Sequence, residues 1–129
     1  MGNNKKCPIE IALRYIGKKW SLEIIRDFFF GKNRFNEFLE SNPKLSSKML
    51  SERLKEFKKN GIIEKKVSNT FPVIIEYELT SKGRALNKIL YELAIFAVNA
   101  CNEYSENVKN NSCSIEILDF LKKKLRIND

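Results

Sequence analysis

Between residues 44 and 83 the chain passes from a basic amphipathic stretch, through a glycine, into two runs rich in β-branched residues and then into a new helix start. The first stretch, from Leu45 to Gly61, places Leu50, Leu54 and Phe57 at the i, i+4, i+7 spacing of one helical face. Lys48, Ser51, Glu52, Lys55 and Lys59 project from the opposite side, at about 100° per residue. That outward face mixes positive charge with short hydrogen-bonding groups, the combination that reads base edges in a major groove. Ser46 or Ser47 is placed to cap the amino end, and Asn60-Gly61 supplies a left-handed residue to stop the helix.

Beyond the stop, residues 62–67 and 73–79 flank Ser68-Asn-Thr-Phe-Pro72, a turn-forming stretch, so a hairpin is expected. In its second run Ile75, Tyr77 and Leu79 alternate with Ile74, Glu76 and Glu78, which predicts one buried and one wet face. Thr80 is expected to cap the following helix. Helix, hairpin and capped helix in this order are the plan of a winged helix-turn-helix, a mainly α fold with a small β wing. Its expected partner is double-stranded DNA.

Charge placement agrees with a polyphosphate partner. From Lys44 to Val67 there are eight positive and three negative side chains, whereas from Glu76 to Val108 there are three positive and five negative. Most of the net charge of +8 therefore sits on the proposed reading unit, where neutralised phosphates would release their counterions.

The same composition argues against other classes. The chain has no histidine, which removes Ser-His and Cys-His nucleophile pairs and the commonest metal ligand. Its five glycines are scattered singly, without a phosphate-cradling loop. Cys7, Cys101 and Cys113 are an odd set without CxxC spacing, unlike a disulfide scaffold or zinc site. No catalytic residue, metal or cofactor is expected. No run of about 18 apolar residues occurs, and Glu10 comes too early for a signal-peptide segment. A cytoplasmic location without membrane association is the expectation.

At 129 residues and 43% apolar content the chain fits one domain, residues 1–129, with a DNA-binding core at about 20–83. Pro8 suits a first helical position, and Ile9, Ala12, Leu13 and Ile16 form a stripe ending at Gly17. A second helix starts near Ser21 and ends at Gly31, with Trp20 as a core anchor before it. After a brief extended piece at Arg34-Phe35, Asn36 is expected to cap a third helix from Glu37 to Ser41. Asn42-Pro-Lys44 then breaks the chain before the basic helix, forming the turn of the helix-turn-helix. From Ser81 a long helix is expected to run past Cys101, break at residues 107–112, and give way to a last helix from Cys113 to Ile127. The apolar stripes on these helices exceed what one small domain buries, so residues 7–17 and 84–127 are expected to dimerise the chain. An intrachain bundle is the alternative.

Six fragments in one order carry a family resemblance: Cys7-Pro-Ile-Glu10, Ile16-Gly-Lys-Lys-Trp20, Arg34-Phe-Asn-Glu37, Leu45-Ser-Ser-Lys-Met-Leu50, Gly61-Ile-Ile63 and Glu76-Tyr-Glu-Leu-Thr-Ser-Lys-Gly83. Over roughly residues 7 to 101 the chain resembles the HxlR-type winged-helix transcription regulators, relatives of the MarR class. The resemblance implies a homodimer on a pseudo-palindromic operator, with recognition helices in successive major grooves and wings over the flanking backbone. It places Ser46, Ser47, Lys48, Ser51 and Arg53 on the recognition segment and Lys65 and Lys66 on the first wing strand. Arg53 lies nearer the buried side by helical phase, which suits a phosphate better than a base. Two positions depart from the pattern. Ile74 stands where similar sequences commonly carry an arginine, and Lys18 replaces the second glycine of Gly-Gly-Lys-Trp.

Cys7 matches a cysteine that some relatives use as a thiol sensor. Its place at a helix start beside Lys5 and Lys6 suits a reactive thiol, while a small apolar residue in a dimer seam is the other reading. Cys101 and Cys113 are read as packing residues. A small-molecule effector between dimer helices is compatible with the pattern, although no residue cluster singles one out. The competing class is a winged-helix protein-interaction module that does not read DNA.

Overall fold

A computed structural model describes residues 7–101 and 111–128, the side chains of 111–114 excepted. Helices α1 (Pro8–Ile16), α2 (Ser21–Phe29), α3 (Phe35–Ser41) and α4 (Ser47–Lys59) lead into strands β1 (Ile63–Val67) and β2 (Ile75–Leu79), followed by α5 (Ser81–Arg84), α6 (Asn87–Ala100) and α7 (Asn111–Lys124). The chain is mainly helical with a two-stranded antiparallel hairpin, the winged helix-turn-helix expected from its pattern. It divides after Gly83 into two compact units. No helix among the described residues is long and apolar enough to cross a membrane.

The core of the first unit gathers one face from each element. Ile24 and Ile25 of α2, Phe38 of α3, Leu50, Leu54 and Phe57 of α4, and Ile62 and Ile63 are all buried. Phe28 and Phe38 pack as a tilted aromatic pair with centroids 4.8 Å apart. Beside this apolar centre lies a polar knot that no local pattern announces. Buried Asp27 accepts from Arg26 (Nη2 at 3.0 Å) and from Asn42 Nδ2 at 2.7 Å, while Asn42 Nδ2 also donates to the Phe38 carbonyl at 2.9 Å. A carboxylate and an amide that satisfy each other can be buried where either alone would be costly. The knot ties α2 to the turn between α3 and α4.

Several helix boundaries differ from those the pattern predicts. α3 begins at Phe35 because Glu37, rather than Asn36, closes its amino end: the Glu37 carboxylate accepts from the backbone N–H groups of Asn33 (3.1 Å) and Arg34 (2.9 Å). Those two bonds hold the Glu37 carboxyl below its ordinary range, so its contribution to stability is complete above that range and is lost as pH falls below it. The extended piece sits one residue early, where the Asn33 carbonyl accepts from Tyr77 N–H at 2.8 Å. Trp20 is half-buried and adopts a left-handed conformation (φ 74°) at the start of α2.

The long helix expected from Ser81 is two helices, interrupted at Ala85-Leu86. The Asn87 side chain accepts from Lys88 N–H at 2.8 Å and donates to the Leu125 carbonyl at 2.9 Å, a local alternative to continuous helix. α6 ends at Ala100, with Cys101 beyond it, and the predicted passage across residues 102–110 lies outside the described residues. α7 starts at Asn111 and stops at Lys124, short of Ile127, because Arg126 turns left-handed (φ 54°) and Ile127 N–H closes back on the Lys122 carbonyl at 3.0 Å. In the second unit α6 packs against α7, and Leu125 is buried.

The junction between α4, the hairpin and α5 is written by three residues. Gly61 takes φ 75° and ends α4. Thr80 accepts from Gly83 N–H at 3.2 Å through its hydroxyl, capping α5 as expected; the hydroxyl donates to the Gly61 carbonyl at 2.5 Å, and the Thr80 N–H donates to the Ile62 carbonyl at 3.0 Å. Gly83 must lack a side chain: a Cβ there would collide with the Ile62 carbonyl oxygen and approach Leu79 Cδ2 to 2.9 Å. Gly83→Ala is therefore expected to lower stability by about 1–3 kcal/mol, read by chemical denaturation. An unchanged denaturation midpoint would contradict this account of the junction.

Candidate nucleic-acid interface

α4 presents two faces with different work. Leu50, Arg53, Leu54 and Phe57 are buried, while Ser47, Lys48, Ser51, Glu52, Lys55, Lys58 and Lys59 are exposed. Lys48, Glu52, Lys55 and Lys59 follow one another at spacings of four, three and four, forming a row diametrically opposite the buried face. Ser51 and Lys58 flank that row. Ser46 is the cap, its hydroxyl oxygen accepting from Met49 N–H at 3.1 Å, and it remains exposed beside the free first-turn N–H groups of the helix. Lys44 and Lys58 were not singled out from sequence, yet both are exposed on the same segment, Lys44 in the turn and Lys58 on the flank. Among the described residues Lys44, Lys48, Lys55, Lys58 and Lys59 enter no ion pair, whereas Lys18 and Arg53 pair with Glu56, Arg26 with Asp27 and Lys66 with Glu78.

Arg53 is placed differently from its neighbours in the candidate set. It is 7% exposed, and its Nε donates to the Lys19 carbonyl at 2.8 Å while its guanidinium pairs with Glu56 at 3.3 Å. Lys18 reaches the same Glu56 oxygen at 3.1 Å. The partner carbonyl immediately precedes Trp20, whose left-handed backbone needs such surrounding constraint to persist. Arg53 thus ties α4 to the loop between α1 and α2. Lys18 adds a second strap at the same place.

The wing separates the two lysines assigned to it. In the register of the hairpin Ile63 pairs with Leu79, Lys65 with Tyr77 and Val67 with Ile75 on one side; Glu64 pairs with Glu78 and Lys66 with Glu76 on the other. Lys65 accordingly lies on the more apolar side. Lys66 lies among three carboxylates and pairs with Glu78, a hydrogen bond that raises its ammonium above its ordinary range. Glu76 in turn accepts from Asn33 Nδ2 at 2.8 Å. The alternation expected for β2 buries only its end: Leu79 is buried, Tyr77 half-buried and Ile75 exposed.

Cys7 occupies the N-cap position of α1 as a half-buried free thiol that makes no capping bond, while its carbonyl accepts from Ile11 N–H at 3.1 Å. Lys5, Lys6 and the Cys113 side chain lie outside the described residues. Cys101 is half-buried and free.

Arg53→Ala removes a charge-assisted bond and leaves the Lys19 carbonyl without its partner, so it is expected to cost about 2–3 kcal/mol of stability. Thermal and chemical denaturation measure this; a variant as stable as the parent would show that the strap is dispensable.

A family profile described as HxlR-like helix-turn-helix matches residues 15–105. The chain is 41% identical over 101 residues to the HTH-type transcriptional regulator YodB of Bacillus subtilis strain 168, spanning 78% of this chain and 90% of that protein. The reduced form of YodB superposes with a TM-score of 0.63 at 38% identity, covering 75% of this chain and 96% of that one. A structure described as the redox regulator HypR in its oxidized form gives a TM-score of 0.67 at 35% identity, covering 70% and 94%. These relatives are transcriptional regulators rather than enzymes. With the profile spanning most of the chain and its ordered helix, turn, helix and wing, this protein belongs to the HxlR-like helix-turn-helix family of transcriptional regulators.

Proposed function

We propose that the chain acts as a homodimer that reads a pseudo-palindromic DNA operator, with α4 of each copy in successive major grooves. The observation that carries this reading is the unpaired row of Lys48, Lys55 and Lys59 around Glu52, directly opposite the buried face of α4. The lysines supply phosphate attraction. Glu52 supplies an acceptor for a cytosine amino group, and Ser46, Ser47 and Ser51 supply hydroxyls that serve bases or phosphates. Arg53 positions this row rather than contacting DNA. Of the wing lysines, Lys65 is the phosphate contact, because Lys66 is engaged by Glu78. Such a regulator works in the cytoplasm, where its operator lies.

The dimer reading rests on apolar side chains that each unit leaves uncovered. In α1, Ile9 and Leu13 are 69% and 53% exposed. In the second unit Leu93 and Phe96 of α6 and Ile115 of α7 are exposed. Faces of this kind are covered by a partner in stable proteins, and a two-fold operator calls for a two-fold protein. Cys7, at the head of the apolar α1, is the proposed oxidant-responsive group, in keeping with the redox regulators among the structural relatives.

Fluorescence anisotropy on labelled duplex taken from immediately upstream of this protein's own gene tests the interface. Lys48→Ala and Lys55→Ala are each expected to weaken binding and to reduce the slope of log affinity against log salt by about two, one phosphate contact being lost from each copy of the dimer. Lys65→Ala should do the same, and Lys66→Ala should leave the slope unchanged. Unchanged affinity and slope in both α4 variants would remove this helix from the interface. A thiol oxidant is expected to change the affinity of the parent protein but not of Cys7→Ser; an equal response in the two would assign sensing elsewhere.

A further inference from the structure

The wing tip is chemically unlike the rest of the reading unit. From Val67 to Ile75 there is no charged residue, in a chain of which 31% is charged. The tip is nevertheless built rather than loose. Ser68 N–H donates to the Ile74 carbonyl at 2.9 Å, Ile74 N–H donates to Ser68 Oγ at 2.8 Å, Ser68 and Thr70 hydroxyls bond at 2.8 Å, and Thr70 Oγ1 donates to the Pro72 carbonyl at 3.2 Å. This framework holds Phe71 at 99% exposure, with Val67 and Val73 also exposed. An ordered loop that presents a whole aromatic ring to water offers it to a partner.

Position selects the partner. Gly61 turns the chain directly from the end of α4 into β1, and five residues of strand at about 3.3 Å each carry it about 17 Å. Half of a DNA turn of about 34 Å separates a major groove from the next minor groove. With α4 in a major groove, the tip therefore arrives at the adjoining minor groove. Attraction to phosphate cannot seat it there, because the tip has no cation and one side of the wing carries Glu64, Glu76 and Glu78 against Lys66 alone. An apolar ring can, since apolar side chains wedge into minor grooves by partly unstacking a base step, most easily a flexible pyrimidine–purine step.

We infer that Phe71 is a minor-groove wedge, and that the tip of the wing reads DNA deformability beside each half-site, while Lys65 on the strand behind it holds a phosphate. This rests on the reading of α4 as the major-groove helix. The test uses the full-length protein and a duplex obtained by selection with it from random sequence, carrying 2-aminopurine at the flanking step. Phe71→Ala is expected to retain the parent's melting temperature, because the ring packs on nothing. It should lose about tenfold in affinity per half-site, the scale of one buried aromatic side chain, and so about a hundredfold for the dimer, with an unchanged salt slope, and it should abolish the 2-aminopurine fluorescence increase that the parent produces. Lys55→Ala, by contrast, should flatten the slope and keep the fluorescence increase at saturation. Parent-like affinity and fluorescence in Phe71→Ala would overturn the wedge while leaving the major-groove reading intact. Loss of self-association with unaltered DNA binding would also overturn it, assigning the ring to contact between copies. Failure of the parent to select any duplex would overturn the wedge together with the reading beneath it.

Discussion

The bond from Arg53 to the Lys19 carbonyl sets the rotational phase of α4, the helix proposed to read DNA. A helix with apolar residues at Leu50, Leu54 and Phe57 can roll by tens of degrees on an apolar surface, because dispersion and hydrophobic burial are not directional. A guanidinium donating to one fixed carbonyl and pairing with Glu56 on its own helix is directional. Once that angle is set, Lys48, Glu52, Lys55 and Lys59 follow as a row facing away from the core. The same bond reaches the loop that holds the left-handed Trp20, so the helix and the loop constrain each other. The Asp27–Asn42 knot completes the arrangement by fixing the turn through which the chain enters α4.

This construction places α1 close to the reading surface in mechanical terms. α1 carries Cys7 at one end, and its other end leads through Gly17 into the loop gripped by Arg53 and by the Lys18–Glu56 pair. Tyr15 of α1 also lies under the Lys82 ammonium, 4.2 Å from its ring centroid, and Lys82 donates to the Asn60 carbonyl at 2.9 Å, at the carboxy end of α4. A change at the amino end of α1 therefore has physical routes to the middle of α4 and to its carboxy end that do not require the core to repack.

What the sequence made legible was whatever is decided locally. Ser46, Asn60-Gly61 and Thr80 act as the caps and stops their types suggest, because capping involves residues three or four apart. The strand alternation gave the hairpin, and the ordered fragments gave the family. What escaped was decided by partners distant in the chain. Arg53 and Lys19 are 34 residues apart, and Asn42 and Asp27 are 15 apart, so nothing in either neighbourhood announces the bond. Lys65 and Lys66 look equivalent in the sequence, yet one register places them on opposite faces of the wing, one beside Tyr77 and the other among carboxylates. The α3 start was missed because Asn36 is a good cap by type, while Glu37 reached back to two N–H groups and made a cap there unnecessary.

The outward row of α4 is proposed to lie in the major groove, and methylation interference on a tightly bound duplex probes that placement, because dimethyl sulfate marks guanine N7 in the major groove and adenine N3 in the minor groove. N7 interference is expected in two half-sites one helical turn apart, about 10 base pairs between centres or a multiple of that, with N3 interference confined to their flanks. Tight, saturable binding with no N7 interference would contradict it.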